Sequence, residues 1–395
     1  MNNFCKVPFS QLEITPNGEA RVCCKISTLT RSPDGRYMNL LQDSFDDIWY
    51  SQYMKDLREK FLRNERPPEC YKCWNDEASG IQSLRLQSEM LHVEPDRPQV
   101  LALSLKLSNK CNCACRICSF WLSSLWVNEL KKQNQYPIEH HRYIQLATET
   151  KLDKNGNFDL IKDMTKNLER LFVYGGEPLM DNEVLEILKW CRDSGESKHI
   201  RLIINTNGTI MNPEILNLLQ SFHDTSLYFS IDDVDRRYHY QRWPARWEKV
   251  SKTLKEINDL PGKPGFQKCL YASISVFNIL YLGEILQAFS EFENMPVNLD
   301  NIIYDPEILC IYNLPEDVKP FIKKYLDSIR WEYSQFEFAY DYCNNIKSFM
   351  DQKVSPYTRE EYLVKLDDFL KTDDERRGES WKDVFPQLYE LLLGL

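Results

Sequence analysis

The chain has 395 residues, of which 43% are hydrophobic and 27% charged, so it has enough apolar material for a core spread over roughly two or three domains. This composition excludes an intrinsically disordered chain, a collagen-like chain and a small disulfide scaffold. With 49 basic and 59 acidic residues, the net charge of −10 excludes the electrostatic footprint of a nucleic-acid-binding protein.

The N-terminus and the apolar runs indicate the compartment. The stretch MNNFCKVPFSQLEITPNGE has no basic region followed by an apolar one, so it does not resemble a signal peptide. No apolar run approaches the roughly 18 residues of a membrane-spanning helix. We therefore expect a cytoplasmic protein without a membrane partner. In that reducing compartment, the crowding of nine of the 13 cysteines into residues 1–118 is typical of metal ligands rather than disulfides.

The chain divides into three regions. Residues 1–95 are expected to form a small irregular domain with a helix over 45–64, which ends before Pro67. Residues 96–310 contain six short apolar runs with helix-like segments between them, a pattern that predicts βαβ units and a parallel sheet. Such a sheet is an open (β/α) barrel or a doubly wound sheet, and both bind ligands at the carboxyl ends of the strands. Residues 311–395 predict a helical C-terminal extension with a charged, solvated face. The six runs lie at 101–107, 171–175, 201–205, 227–231, 271–277 and 301–304.

A cysteine motif follows the first of these runs. Cys111, Cys115 and Cys118 have the spacing CxxxCxxC, which lets three thiolates face one point. Three thiolates can bind three irons of a 4Fe–4S cluster and leave the fourth iron open for chemistry. Zinc is the alternative, although a zinc ribbon needs a second CxxC knuckle folded against the first. Cys113 breaks the spacing and is interpreted as a bystander.

Together with the motifs that follow it, this loop resembles that of the radical S-adenosylmethionine (radical SAM) enzymes, and the resemblance covers residues 100–305. The sequence GGEP ends the second strand, NTNG ends the third and SID ends the fourth, in the order of the family. The resemblance implies an α/β fold with a partial (β/α)6 barrel over residues 96–310. It also implies that the polar strand ends bind SAM, through Gly175, Gly176, Glu177, Pro178, Asn205, Asn207, Ser230, Asp232, Arg242 and Asn278. Two positions depart from the family pattern: Ile117 stands where an aromatic residue is frequent, and Asp233 where glycine is frequent.

The resemblance also implies the reaction. The three catalytic cysteines hold a cluster that passes one electron to bound SAM, and cleavage of the sulfonium bond yields methionine and a 5′-deoxyadenosyl radical. That radical abstracts hydrogen from an unactivated C–H bond of the substrate. The protein orients the substrate and excludes water. An electron donor such as flavodoxin or ferredoxin is then a partner.

The N-terminal cysteines resemble a second iron–sulfur site. Cys5, Cys23, Cys70 and Cys73 match the pattern of the SPASM domain, or of its shorter relative called twitch, which normally follows the barrel rather than preceding it. Only four matching ligands are present, so the resemblance implies one auxiliary 4Fe–4S cluster and two such clusters in the chain. Cys24 is an alternative to Cys23, and a four-cysteine zinc site is an alternative to the cluster.

Three functions are compatible with these features. The first is a radical SAM oxidoreductase that modifies a peptide, the precursor of a ribosomal natural product, with the help of a separate peptide-recognition protein. The second is a radical SAM dehydrogenase acting on a small molecule such as an aminocyclitol or a sugar. The third is a non-catalytic iron–sulfur or zinc scaffold. A fully ligated auxiliary cluster transfers electrons, which favours a net oxidation.

Overall fold

The strands form one sheet within the part of the chain that the structure describes. The computed structural model describes residues 3–88, 92–119, 122–133, 157–332 and 339–395. The strands there are β1 (Gln11–Ile14), β2 (Ala20–Arg21), β3 (Ala102–Leu105), β4 (Arg170–Val173), β5 (Arg201–Thr206), β6 (Asp224–Ser230), β7 (Phe266–Ile274) and β8 (Val297–Ile302).

The sheet has the order β2-β1-β3-β4-β5-β6-β7-β8. Strand β1 and strands β3 to β8 are parallel, while β2 pairs with the outer side of β1 in the antiparallel direction. Strands β3 to β8 are neighbours in chain order, with helices in each connection, as expected for successive βα units. The six predicted strands and the α/β fold class are therefore confirmed.

The helices fall into three groups. The N-terminal helices are α1 (Val7–Ser10), α2 (Phe45–Trp49), α3 (Gln52–Leu62), α4 (Tyr71–Ala78) and α5 (Leu84–Gln87). The helices between the strands are α6 (Ser124–Gln133), α7 (Asn157–Thr165), α8 (Asn182–Ser194), α9 (Pro213–Leu219), α10 (Asp235–Gln241), α11 (Trp247–Asn258) and α12 (Leu282–Phe289). The C-terminal helices are α13 (Lys319–Glu332), α14 (Ala339–Met350), α15 (Arg359–Arg377), α16 (Trp381–Val384) and α17 (Pro386–Leu393). Among the described residues, none of these helices is both long and apolar enough to cross a membrane.

Helix α8 shows how local sequence fixes an element that packs on the barrel. It begins at Asp181, whose carboxylate accepts a hydrogen bond from the backbone N–H of Glu183. It ends at Gly195, whose φ of +89° suits a residue without a Cβ. Between these caps, apolar residues at helical spacing face the sheet; those buried are Val184, Ile187, Leu188 and Cys191.

The sheet curls into a partial barrel. One cavity of about 310 Å³ is lined by Gln11 of β1 and by Asn298 and Asp300 of β8, as well as by residues of β4 to β7. In a flat sheet β1 and β8 would lie about 29 Å apart, since they are six strand spacings of about 4.8 Å apart. A common cavity therefore requires curvature, and its inner wall is the concave face of the sheet.

The first strand of the barrel sheet comes from the N-terminal region, which the sequence predicted to be irregular. Strand β1 pairs in parallel with β3, from Gln11 opposite Ala102 to Ile14 opposite Leu105. Its sequence, QLEI, is fully buried in spite of two polar residues. The region 1–95 thus contributes β1 and β2 to the same sheet as the barrel.

Glu13 is the buried residue of β1 that joins these parts. Its carboxylate accepts hydrogen bonds from the Arg21 guanidinium at 2.6 Å and from the Tyr174 hydroxyl at 2.8 Å, and it lies 3.1 Å from the Lys106 ammonium. Burial alone would raise its pKa, but the charges of Lys106 and Arg21 hold the pKa of Glu13 below its ordinary value of 4.5. One carboxylate therefore links β1 to β2 and to the residues after β3 and β4.

Replacing Glu13 should alter the acid sensitivity of the fold. Because the folded-state pKa is lowered, the ionised carboxylate stabilises the protein above about pH 4.5, and this contribution is lost as the pH falls through the folded-state value. Glu13→Gln should lower the free energy of unfolding by about 3–5 kcal/mol near neutral pH, because Arg21 and Lys106 lose their charged partner. The free energy of unfolding of this variant should also fall less steeply than that of the wild type as the pH is lowered. Urea unfolding at a series of pH values measures both effects.

The matched control is Glu59→Gln on an exposed face of α3. It should change the free energy of unfolding by less than about 0.5 kcal/mol. If the free energy of unfolding fell equally steeply with decreasing pH in Glu13→Gln and in the wild type, the claim that ionised Glu13 stabilises the fold would be wrong.

Candidate metal centres and cofactor site

The loop after β3 carries the CxxxCxxC cysteines and has no regular secondary structure. The end of α10 and the residues after it hold its backbone. The N–H of Ala114 donates to the carbonyl of Trp243 at 2.7 Å, and the N–H of Arg116 donates to the carbonyl of Gln241 at 2.9 Å. On the other side, the N–H of Cys111 donates to the Ser124 hydroxyl at 3.1 Å. Hydrogen bonds from its backbone N–H groups to residues of other segments thus hold the loop, which takes no part in a β-sheet.

The structure brings the three predicted cluster cysteines together. Burial, followed by the negative charges of Cys115 and Cys111, raises the pKa of Cys118. Cys113 is buried among them, within hydrogen-bond reach of Cys111 and Cys115, and its sulfur accepts from the Asn207 amide at 3.4 Å. A set of soft sulfur donors on one loop fits an iron–sulfur cluster. Cys113 therefore lies beside the predicted ligands, and its role as a bystander stays a prediction.

The GGEP turn after β4 lies directly against the cysteine loop. Gly175 and Gly176 have φ of +93° and +57°, and a Cβ on Gly176 would come within 2.4 Å of the Lys110 carbonyl oxygen. The N–H of Glu177 donates to that same oxygen at 2.7 Å. Glycine is therefore required at 176 both for its backbone angle and for the close approach. Pro178 follows as the first residue of a short 3-10 helix.

The Glu177 side chain points into the protein. Its buried carboxylate accepts from the N–H of Asn207 at 2.6 Å, from the Thr206 hydroxyl at 2.8 Å and from the N–H of Leu179 at 3.1 Å. Burial raises the pKa of Glu177 to about 7. This residue ties the turn after β4 to the turn after β5, so the GGEP turn is left to contact a ligand through its backbone.

Arg242 and Asp232 form a buried ion pair beside the cysteines. The Arg242 guanidinium lies 2.6 Å from the Asp232 carboxylate, whose other oxygen accepts from the N–H of Ser273 at 2.8 Å. A hydrogen bond from Cys113, and then the Arg242 charge, lower the pKa of Cys115 against the effect of burial. Within the described residues, Arg242 Nε is buried with no hydrogen-bond partner. An unpaired buried donor at this place fits the carboxylate of SAM.

The other predicted SAM-binding residues are placed around this pair. Asn278 is fully buried, and its amide donates to the carbonyls of Asp232 and Ser273 while accepting from the N–H of Ser275, so all its groups are used within the protein. Asn207 donates to Asn112 of the cysteine loop at 2.9 Å. Asn205 lines the barrel cavity, and Ser230 is the half-buried last residue of β6. A contact between Asn278 and the cofactor stays a prediction.

The C-terminal end of helix α15 and the residues after it form ion pairs and a hydrogen bond with the cysteine loop. Arg116 is fully buried, with its guanidinium 3.6 Å from the centre of the Tyr240 ring and paired with Asp374 at 2.8 Å and Glu379 at 3.0 Å. Arg377 donates to the carbonyl of Ala114 at 3.1 Å. The charged C-terminal region was expected to be a solvated face, and these residues are instead turned inward. No sequence pattern signals this, because the partners are more than 250 residues apart.

The four predicted auxiliary ligands surround a second cavity. Cys5, Cys23, Cys70 and Cys73 line one apolar cavity of about 20 Å³, and Cys24 does not line it. Burial raises the pKa of Cys5 to about 12 and that of Cys73 to about 11, so these thiols become thiolates only where a metal centre supplies positive charge. The donor set of four thiols fits an iron–sulfur cluster, and Lys25 and Arg85 line the same cavity.

Within the described parts of the chain, no group of three Cys, His, Asp or Glu side chains is arranged to hold a single metal ion.

One side chain separates the two cavities. Leu84, the first residue of α5, lines both the apolar cavity of the four cysteines and the barrel cavity. The N-terminal region also reaches the far edge of the barrel, where the Tyr304 hydroxyl donates to Asp76 of α4 at 2.9 Å. The two cavities thus share Leu84, and the N-terminal region also supplies Gln11, Gln87 and Ser88 to the wall of the barrel cavity.

These features define a class of protein: an iron–sulfur enzyme with a cysteine loop at the carboxyl ends of a partial (β/α) barrel. The sequence matches the family model of the radical SAM superfamily over residues 105–284, and that of an iron–sulfur cluster-binding domain, SPASM, over residues 5–74. The chain belongs to the radical SAM superfamily and carries a SPASM domain ahead of the barrel.

Two curated relatives are similar over parts of the chain. The AdoMet-dependent heme synthase of Methanosarcina barkeri is 33% identical over 82 residues, which are 20% of this chain and 22% of that protein. The radical SAM cyclopropyl synthase TigE of Paramaledivibacter caminithermalis is 27% identical over 169 residues, which are 41% of this chain and 33% of that protein. The matches thus cover between about a fifth and a third of these relatives.

Among solved structures, anSMEcpe with bound AdoMet has a TM-score of 0.41 and 16% identity, covering 59% of this chain and 60% of that one. Streptococcus suis SuiB bound to the precursor peptide SuiA has a TM-score of 0.39 and 13% identity, covering 78% of this chain and 56% of that one.

Adding a methyl group at Gly176 should impair SAM binding. In Gly176→Ala the Cβ would collide with the Lys110 carbonyl oxygen, so the GGEP turn or the cysteine loop must shift. We expect the SAM affinity of the reconstituted enzyme to fall about tenfold or more, as measured by equilibrium dialysis with labelled SAM.

Gly195→Ala is the matched control, because Gly195 also has a positive φ but a Cβ there would meet no atom within 4 Å. This variant should lose some stability at the end of α8 and keep its SAM affinity. Equal SAM affinity in Gly176→Ala and Gly195→Ala would refute the role of the close approach.

Proposed function

We propose that this radical SAM enzyme is an oxidoreductase that modifies a peptide, the precursor of a ribosomal natural product. The observation that carries the proposal is the contact of the cysteine loop with the GGEP turn and with the residues beside Arg242, in a barrel whose cavity is lined in part by the N-terminal region. When bound, SAM and a 4Fe–4S cluster would supply a radical that removes hydrogen from an unactivated C–H bond.

The residues of the chain have separate tasks in this proposal. Cys111, Cys115 and Cys118 hold the cluster, and the loop bonds described above keep their spacing. The GGEP backbone and Arg242 would bind the amino and carboxylate groups of SAM. The curled sheet and the N-terminal domain enclose the reacting carbon and keep bulk water away from it.

The cavity chemistry supports a peptide substrate. Four amide side chains line it, and each offers both donors and an acceptor, as peptide groups require; they are Gln11, Gln87, Asn205 and Asn298. The position of Leu84 supports a net oxidation, because one residue separates the cavity from the SPASM cysteines, so an electron left on the substrate has a short route to an auxiliary cluster.

The proposal includes the remaining components. Two 4Fe–4S clusters, one at the barrel and one held by Cys5, Cys23, Cys70 and Cys73, accompany SAM, and flavodoxin or ferredoxin donates the electron. The enzyme acts in the cytoplasm, and a separate protein helps to recognise the peptide. Dehydrogenation of a sugar or an aminocyclitol is the second candidate. A non-catalytic scaffold is the third, and the buried unpaired Nε of Arg242 disfavours it.

Iron content tests the number of clusters. Reconstituted wild-type enzyme should contain about eight irons per chain, and Cys70→Ala about four, because the auxiliary cluster loses a ligand. Cys24→Ala is the matched control and should keep about eight, since Cys24 does not line the cavity. Iron and zinc are measured together by elemental analysis. Eight irons in Cys70→Ala, or zinc in place of iron, would contradict the assignment.

Turnover tests the activity. Under anaerobic conditions with SAM and dithionite, the wild type should form 5′-deoxyadenosine, and a precursor peptide encoded beside the gene should accelerate it and lose hydrogen. Cys115→Ala should form less than about 1% of the wild-type amount, because the radical chemistry needs the cluster. Cys191→Ala, a buried cysteine of α8, should remain active.

Three results would decide against parts of this scheme. Equal product from Cys115→Ala and wild type would refute the activity. Acceleration by a sugar or an aminocyclitol, and not by the peptide, would select the second candidate. Absence of 5′-deoxyadenosine with every substrate would select the scaffold.

A further inference from the structure

Two arginines lie side by side in the wall of the barrel cavity. Arg170 begins β4 and Arg201 begins β5, and the two residues are direct partners in the register of these strands. Both line the cavity. Burial, and then the charge of Arg201, lower the pKa of Arg170. Two like charges on facing positions destabilise a sheet unless something compensates for them.

Neither arginine forms an ion pair in the described part of the chain, although Asp224 lies opposite Arg201 in the register of β6 and the charge of Glu169 acts on Arg170. The Arg201 guanidinium donates to the Ser226 hydroxyl at 3.2 Å, and neither arginine has a carboxylate within ion-pair distance there. Asp300 lies on another wall of the cavity, where the Asn298 amide donates to it at 3.2 Å. Burial raises the pKa of Asp300, and the hydrogen bond from Asn298 opposes this effect.

The contact with Ser226 places the Arg201 guanidinium along the strand. Ser226 lies opposite Ile203 in the register, so the guanidinium reaches the level of Ile203. Asn205, at the SAM-binding end of β5, is two residues further on, which is about 7 Å along a strand. The charged pair therefore lies below the cofactor site, within the length of a short substrate.

We propose that Arg170 and Arg201 bind a carboxylate of the substrate and thereby set which carbon faces the cofactor. The inference rests on the proposed function and adds to it the chemical class of the substrate. A guanidinium pairs with a planar carboxylate through two parallel hydrogen bonds, and two adjacent guanidinium groups hold it more tightly than one. The pair would bind the end or an acidic side chain of a peptide, and would disfavour a cationic aminocyclitol.

Equilibrium binding to the reconstituted holoenzyme tests the proposal. The probes are N-acetyl-trialanine with a free carboxylate, the same peptide with a C-terminal amide, and inorganic phosphate, each titrated by calorimetry. The wild type should bind the acid about tenfold or more tightly than the amide. Arg170→Gln and Arg201→Gln should each weaken the binding of the acid about tenfold and leave the affinity for the amide unchanged.

Two further variants serve as controls. Arg192→Gln removes an exposed arginine that pairs with Asp193 on α8, and it should bind all three probes as the wild type does. Arg201→Lys keeps the charge and should retain part of the preference for the acid. Iron content and the thermal midpoint establish that each variant is folded.

The outcomes separate this proposal from the proposed function. Equal affinity of the wild type for acid and amide, or tighter binding of phosphate than of the acid, would overturn the carboxylate site. A preference for the acid that survives in both Gln variants would also overturn it. Binding requires no turnover of SAM, so an enzyme that forms no 5′-deoxyadenosine but keeps the arginine-dependent preference would refute the activity alone.

Discussion

The cysteine loop after β3 depends on backbone bonds that other elements supply. Gln241 and Trp243 accept from it on one side, the GGEP turn bonds to its Lys110 carbonyl, and Arg377 bonds to its Ala114 carbonyl. A single hydrogen bond contributes about 1 kcal/mol, but a buried group left without its partner costs about 1–3 kcal/mol. The barrel ends and helix α15 therefore hold the same backbone segment, the one that carries Cys111, Cys115 and Cys118.

A second constraint couples the two cysteine sites. Glu13 lies on the strand that the SPASM domain adds to the sheet, and its carboxylate binds Lys106, next to the cysteine loop, and Tyr174, next to the GGEP turn. Because the Lys106 side chain also packs against Gly175, Glu13 connects the N-terminal strand to the turn that is predicted to bind SAM.

The sequence predicted those parts that depend on short-range patterns. Strands β3 to β8 appear as apolar runs, and the cysteine, GGEP and NTNG motifs carry the family likeness within a few residues each. Strand β1 was not predicted, because its Glu13 is polar and is neutralised by residues distant in sequence. The contact of Arg377 with the cysteine loop and the position of Arg170 beside Arg201 likewise depend on contacts between residues that are distant in the sequence. The arginine at the start of each of the strands RLFV and RLIINT was the available signal for the pair.

The pairing of β1 with β3 also has a consequence for biosynthesis. Gln11 meets Ala102, and all four SPASM cysteines precede Ala102 in the chain. The ribosome therefore releases the four cysteines and β1 before β3, the parallel partner of β1, has been made. The N-terminal region can complete its part of the sheet only after the first strand of the barrel has left the ribosome.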